Sequence, residues 1–164
     1  MIILDTNILS TFGKIDRLGL LFTVFGEEPL FITPNVFKEV RKAEERGYEY
    51  AQKVFSLIIA KRIEIISLSE EEISCTLELP DSFGIGELDS IAVAAKRKAL
   101  FVTNENKVLN YGESNFIATL SLNSILKFIW MEKILTKEEV RELIAEIETK
   151  DKLIFTSIEE IFQN

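Results

Sequence analysis

The sequence predicts a three-layer α/β/α domain on a central parallel sheet, with extra helices at its C-terminal end. Three observations carry this. Short apolar runs recur at Met1–Leu4, Leu30–Ile32 and Ala99–Val102, the pattern of strands buried on both faces, and Ile63–Ser67 reads as a β-branched strand. Stretches of helical period separate these runs, as crossovers between parallel strands require. No Asn-Gly turn of the kind that closes antiparallel hairpins joins one run to the next. With 164 residues, 47% hydrophobic and 28% charged, the chain is long and apolar enough for one core. One domain over residues 1–164 is expected, with a core of about 1–120 and a helical extension of about 121–164.

The elements follow in order. Met1–Leu4 is a core strand closed by Asp5, and 7–26 reads as helical or nearly so. After the Leu30–Ile32 strand, Thr33-Pro34 supplies an N-cap and a proline at the first helical position, starting a helix that runs to about Arg46. Residues 48–61 are amphipathic, with Ala51, Val54, Phe55, Ile58 and Ile59 on one stripe, and Ile63–Ser67 returns to strand. Ser69 and Glu72 form a capping box, and the helix they start is expected to end by Pro80 and Gly84-Ile85-Gly86. Glu87–Lys98 is a nearly apolar helix that belongs deep against the sheet, before the Ala99–Val102 strand. Beyond Thr103 the sequence predicts a helical turn, a brief strand at Phe116–Ala118 and three helices, two with capping boxes at Thr136/Glu139 and Thr156/Glu159.

Composition removes whole classes of chemistry. Histidine is absent, which excludes Ser-His-Asp triads, Cys-His pairs and zinc fingers. The lone Cys75 permits no internal disulfide, and the MIILDTN start lacks the features of a signal peptide, so a cytoplasmic protein is expected. No apolar run is long enough to span a bilayer, and no membrane partner is expected. A formal charge of −8 repels nucleic acid unless basic residues are segregated or a metal intervenes.

Acids stand where a core would not favour them. In open parallel sheets the ligand crevice lies beyond the carboxyl ends of the strands, where Asp5 falls. Asp5 also suits plain helix capping. Glu39 lies at the margin of the apolar stripe of its helix, partly desolvated by that position, while Lys38, Arg41, Lys42 and Glu45 fall on the outer face. Gly86-Glu87-Leu88-Asp89 puts two acids in one opening turn, where the helix dipole alone would favour them by about 0.3 to 1 kcal/mol. Two residues apart, they point to different faces, and Asp89 is the better inward candidate. Thr103-Asn104-Glu105-Asn106 directly follows a strand and is equally suited to turn chemistry. The doubly wound topology directs all four features toward one crevice. Two like charges about 4 Å apart repel by roughly 4 kcal/mol at an effective dielectric of 20, and no Lys or Arg is interleaved at these positions. A hard divalent cation, Mg2+ or Mn2+, answers that repulsion, and phosphodiester hydrolysis by metal-activated water is the chemistry such sites serve.

The motifs MIILDTN, TPNVFKEV, GELDSIAVAA and LFVTNE, in this order and spacing, resemble a PIN domain, the metal-dependent nuclease fold that includes VapC-type toxin ribonucleases. The resemblance covers nearly the whole chain. It implies that Asp5, Glu39 and Asp89 are metal ligands, that Asn7 and Thr103 support the site, and that Glu105 stands at a fourth acidic position where the family commonly has aspartate. Asn104 occupies a place where some members carry another acid, and Glu87 is a second-tier contributor. It further implies a central first strand, frequently a homodimer, and for toxins an antitoxin partner.

The leading expectation is therefore a Mg2+- or Mn2+-dependent ribonuclease, with Lys38, Arg41, Lys42, Lys96, Arg97 and Lys98 as candidate phosphate guides. The alternative is a weak or inactive PIN-like module that binds RNA or a protein, through an apolar groove near Phe128, Ile129 and Trp130, residues better suited to core packing. A phosphatase of the haloacid dehalogenase type ranks last, because it expects aspartate where this chain has Asn7.

Overall fold

The computed structural model describes residues 1–163. Its sheet has five parallel strands, β1 (Ile2–Leu4), β2 (Leu30–Ile32), β3 (Ile63–Ile65), β4 (Leu100–Val102) and β5 (Thr119–Leu120), in the order β3-β2-β1-β4-β5. The expected central position of the first strand is what the fold shows. Ile2 pairs with both Leu30 and Leu100, and Ile3 with both Phe31 and Phe101. Because side chains alternate along a strand, Ile2 and Leu4 enter the core on one face while Ile3 enters the other.

The Ile3 face is covered by α6 (Ile85–Arg97) and α7 (Asn106–Ser114), through Ile91, Val93 and Val108 among others, and α5 (Glu70–Thr76) packs against α6. The opposite face packs against α1 (Thr6–Lys14), α2 (Leu18–Phe25), α3 (Pro34–Glu45) and α4 (Glu49–Ile59). The C-terminal α8 (Leu122–Met131), α9 (Lys137–Lys150) and α10 (Ile158–Ile161) join that same core through Leu122, Ile125, Ile129, Val140 and Ile161. Ile129 is fully buried, Trp130 donates its indole N–H to Ile161 O, and Phe128 remains 41% exposed. Among the described residues, no helix is long and apolar enough to cross a membrane.

Several boundaries differ from expectation. The strand expected at 116–118 forms at Thr119–Leu120, because Phe116 takes a positive φ of 56° and stands 99% exposed at the end of a nine-residue α7 rather than a single turn. Helix α6 starts at Ile85, so Gly86 lies inside it and not in the preceding loop. The Ser69/Glu72 and Thr136/Glu139 boxes form; the Thr156/Glu159 box does not, and Ser157 at that N-cap makes no side-chain bond.

The strand order places the site. From β1 the chain moves outward to β2 and β3, then crosses back through α5 and α6 to β4 on the other side of β1. The carboxyl ends of β1 and β4 are thus the switch point, where adjacent crossovers leave on opposite faces and open a crevice. Asp5 and Thr103 are the first residues beyond those two ends.

Candidate active site

Asp5 is held as firmly as a core residue. It is 5% exposed, and its Oδ1 accepts from Thr6 N–H at 2.7 Å. Its Oδ2 accepts from Asn7 Nδ2 at 2.8 Å and from the Thr103 hydroxyl at 2.5 Å. The capping role open to this residue is realised, and it leaves the carboxylate at the mouth of the crevice. Burial pushes its pKa up to about 6 against the lowering effect of these hydrogen bonds, and the nearby Glu87 and Glu39 push in the same direction as burial. Every partner that touches Asp5 is neutral.

Asn7 and Thr103 tie the two strand ends together. Asn7 Oδ1 accepts from Asn104 N–H at 3.1 Å, and Thr103 Oγ1 accepts from Glu105 N–H at 3.2 Å. One short polar lattice therefore fixes both loops.

An open pocket of about 300 Å3 lies against Asp5. Its acidic walls are Glu39, Glu87 and Glu105, with Ser10 and Tyr50 completing it from α1 and α4. Glu39 is exposed rather than partly desolvated, because it faces the open pocket; its Oε2 accepts from the Thr6 hydroxyl. Glu105 is also exposed, and although it occupies the N-cap position of α7 its side chain caps nothing, which leaves the carboxylate free to face the pocket.

The two acids of the GELD motif separate as their spacing requires, with Asp89 turned inward as expected and Glu87 at the pocket. Glu87 lines the pocket, and its Oε2 accepts from Gly84 N–H at 2.6 Å. Asp89 is buried at 8% exposure and does not line it; its Oδ2 accepts from Asn35 Nδ2 at 2.8 Å. Burial raises the Asp89 pKa, countered by the hydrogen bonds from Asn35. The physical reason is the earlier start of α6: at its third position Glu87 turns back over the helix N-terminus toward the crevice, while Asp89 rotates about 200° onward against α3.

Several contributors were missed from sequence. Lys107 stands among the acids, 2.9 Å from Glu87 Oε2, which corrects the expectation that no cation is interleaved there. The hydrogen bond from Lys107 to Glu87 raises the lysine pKa, with Glu87, Glu105 and Asp5 adding attraction. Its signal was its place in the first turn of the helix after a site strand. Asn35 had none beyond lying four residues before Glu39 on one face of α3. Gly86 makes room for Glu39, since a Cβ there would stand 2.9 Å from Glu39 Oε1 and 3.3 Å from Val36 Cγ2.

Among the proposed phosphate guides, Arg97 is bound to Glu72 through two nitrogens and to Ser67 O, and Arg41 pairs with Glu45. Lys96, Arg97 and Lys98 immediately precede β4, so they lie at the amino edge of the sheet, away from the crevice. Among the described residues, no three carboxylates or thiols converge tightly enough to hold an ion by themselves. The donor chemistry still suits a hard cation, since all side chains offered are oxygen ligands and Mg2+ is commonly held by one or two carboxylates with water and phosphate completing the shell. A family model described as a PIN domain matches residues 1–160. No curated protein matches the chain.

Proposed function

Since the chain belongs to the PIN-domain family, whose members are generally nucleases that act with divalent metal ions, we propose that it is a Mg2+- or Mn2+-dependent ribonuclease. The observation that carries this reading is the gathering of Asp5, Glu39, Glu87 and Glu105 around one open pocket at the switch point of the sheet. Asp5 with Glu87, flanked by Glu39 and Glu105, would hold the ion, while Asp89, outside the pocket lining and hydrogen-bonded by Asn35 through Oδ2, would join them through its other oxygen. A divalent cation bound there supplies charge neutralisation at the phosphodiester and a water acidic enough to attack it at neutral pH. The protein's own part is positional. Asn7 and Thr103 keep the Asp5 carboxylate fixed and desolvated, Thr6 holds Glu39 by its hydroxyl, and Lys107 offers an ammonium to substrate phosphate once a cation relieves it of Glu87.

A toxin role, with an antitoxin partner and a homodimeric state, is the finer part of the proposal and rests on the family alone. The test is Mn2+ titration of wild type, Glu87→Gln and Asp89→Asn, followed by thermal melting and by cleavage of a labelled single-stranded RNA pool. Metal-dependent stabilisation and cleavage in wild type, both lost in Glu87→Gln, support the reading. If metal alters neither stability nor RNA in wild type, the fold serves as a non-cleaving binding module instead.

A further inference from the structure

Beside the acidic pocket runs a second open groove, of about 390 Å3, that shares Ser10, Glu39 and Tyr50 with it. Its character is different. Lys42 and Arg46 line it from the last turn and C-cap of α3, and Lys14 from the last turn of α1. Among the described residues, neither Lys42 nor Arg46 is paired in a salt bridge, whereas Arg41, one position before Lys42, pairs with Glu45. In a chain of net charge −8, two unpaired cations at one groove are a local reversal of sign.

Two tyrosines complete it. Tyr48 is 52% exposed, and its ring centroid lies 6.0 Å from that of Tyr50 at an interplanar angle of 42°. Their placement is built into the backbone. Gly47 takes a φ of +81°, which reverses the chain between α3 and α4 and sets Arg46 and Tyr48 on the two sides of the turn. Gly13 lets α4 approach α1 closely: a Cβ there would stand 2.8 Å from Tyr50 Cβ. Lys14 Nζ then lies 5.6 Å from the Tyr50 ring centroid, with its charge shared with Asp151.

We propose that this groove is the track for single-stranded polynucleotide leading into the acidic pocket, with Lys42 and Arg46 on backbone phosphates and Tyr48 as a stacking platform for an unpaired base. Cations that follow a backbone beside an aromatic face are what a single strand requires, and a duplex offers no free base face to stack. The proposal rests on the nuclease reading for the direction of the track, but binding in the groove needs no metal.

The test is fluorescence anisotropy of a labelled mixed-sequence single-stranded RNA, its single-stranded DNA counterpart and an RNA duplex, in EDTA so that cleavage is silent, with melting curves as the control for folding. Tyr48→Ala weakens single-strand binding about tenfold, while Tyr48→Phe retains it. The double variant Lys42→Ala/Arg46→Ala lowers the slope of log K against log salt by about 1.4, the loss of two phosphate contacts on a single strand. Lys96→Glu, at the amino edge of the sheet, leaves binding unchanged. The proposal is overturned if the groove variants bind as wild type does, if Lys96→Glu weakens binding as much as they do, or if duplex binds as tightly as single strands. A protein that binds single strands through this groove yet cleaves nothing with any metal defeats the nuclease reading alone; one that cleaves with unaltered KM in the groove variants defeats the track alone.

Discussion

Asp5 and Glu72 are both acids that the fold buries, at 5% and 2% exposure, and their surroundings act on them in opposite senses. Glu72, on α5, receives the Arg97 side chain through two nitrogens, and that contact holds its carboxyl below the ordinary range. Asp5 receives only neutral donors and is pushed up to about 6 by burial, with Glu87 and Glu39 adding to it. One acid has found its cation within the chain; the other is hydrogen-bonded only to neutral groups, and the nearby Lys107 pairs with Glu87 instead. Burial alone therefore does not distinguish the two acids; the lack of a charged hydrogen-bond partner, at the carboxyl edge of a parallel sheet, does.

The two regions should answer mutation as mirror images. Asp5→Asn is expected to reduce RNA cleavage on the order of 10^3-fold with the fold retained, as read by single-turnover rates and melting temperature. Glu72→Gln should change cleavage less than about twofold but cost about 1–3 kcal/mol of stability, measured by urea unfolding, because Arg97 loses its charged partner. The pH response sharpens this second case. A carboxyl whose folded pKa is lowered contributes stability that is complete above its unfolded pKa and is lost as pH falls through the folded value. Wild type should therefore lose this contribution in acid below about pH 4.5, while Glu72→Gln, already without it, should show a flatter acid limb in thermal melts.

Smaller perturbations test how the open pocket is shaped. In Gly86→Ala the new Cβ meets the end of the flexible Glu39 side chain, which can move aside, and stands 3.3 Å from the buried Val36 Cγ2, which must give slightly. The melting temperature should change little, the helix preference of alanine offsetting the tight Val36 contact, while the Mn2+ midpoint weakens roughly tenfold. An unchanged midpoint would show that Glu39 contributes nothing to metal binding. The least effect is expected at Lys107. Its ammonium competes with a bound cation for Glu87, so Lys107→Ala should tighten Mn2+ about two- to fivefold in a calorimetric titration, and weakened binding would remove the idea of competition.

Much of the frame was legible because it depends on local rules. Continuous apolar runs marked β1, β2 and β4, since a strand buried on both faces has no polar alternation to preserve, and the β-branched Ile63 and Ile65 marked β3 despite the exposed Glu64 between them. Thr33-Pro34 and the Ser69/Glu72 box placed two helix starts, because capping satisfies amides within a few residues of the cap. The fifth strand was misplaced by a few residues, where Phe116 turns outward and Gly112 instead packs against Thr119, a non-local contact that no apolar run announces. At the site, Asp5, Glu39, Glu87 and Glu105 could each be suspected from the motifs they occupy. The order of Glu87 and Asp89 could not, because it turned on whether α6 begins at Ile85 or two residues later, a shift of about 200° around the helix.

By itself, the sequence determined the parallel α/β architecture and the family, and, containing no histidine, excluded imidazole chemistry. These are properties of composition and short-range pattern, which hold wherever the elements come to rest. Tertiary structure decided the pairings: Arg97 with Glu72, Lys107 with Glu87, Asn35 with Asp89, and Tyr48 and Tyr50 beside Lys42 and Arg46. Each joins groups whose meeting depends on how helices rotate and pack against one sheet. A side chain's charge is written in the chain, but whether that charge is neutralised, buried or left facing an open pocket is set by neighbours that only the packed fold supplies.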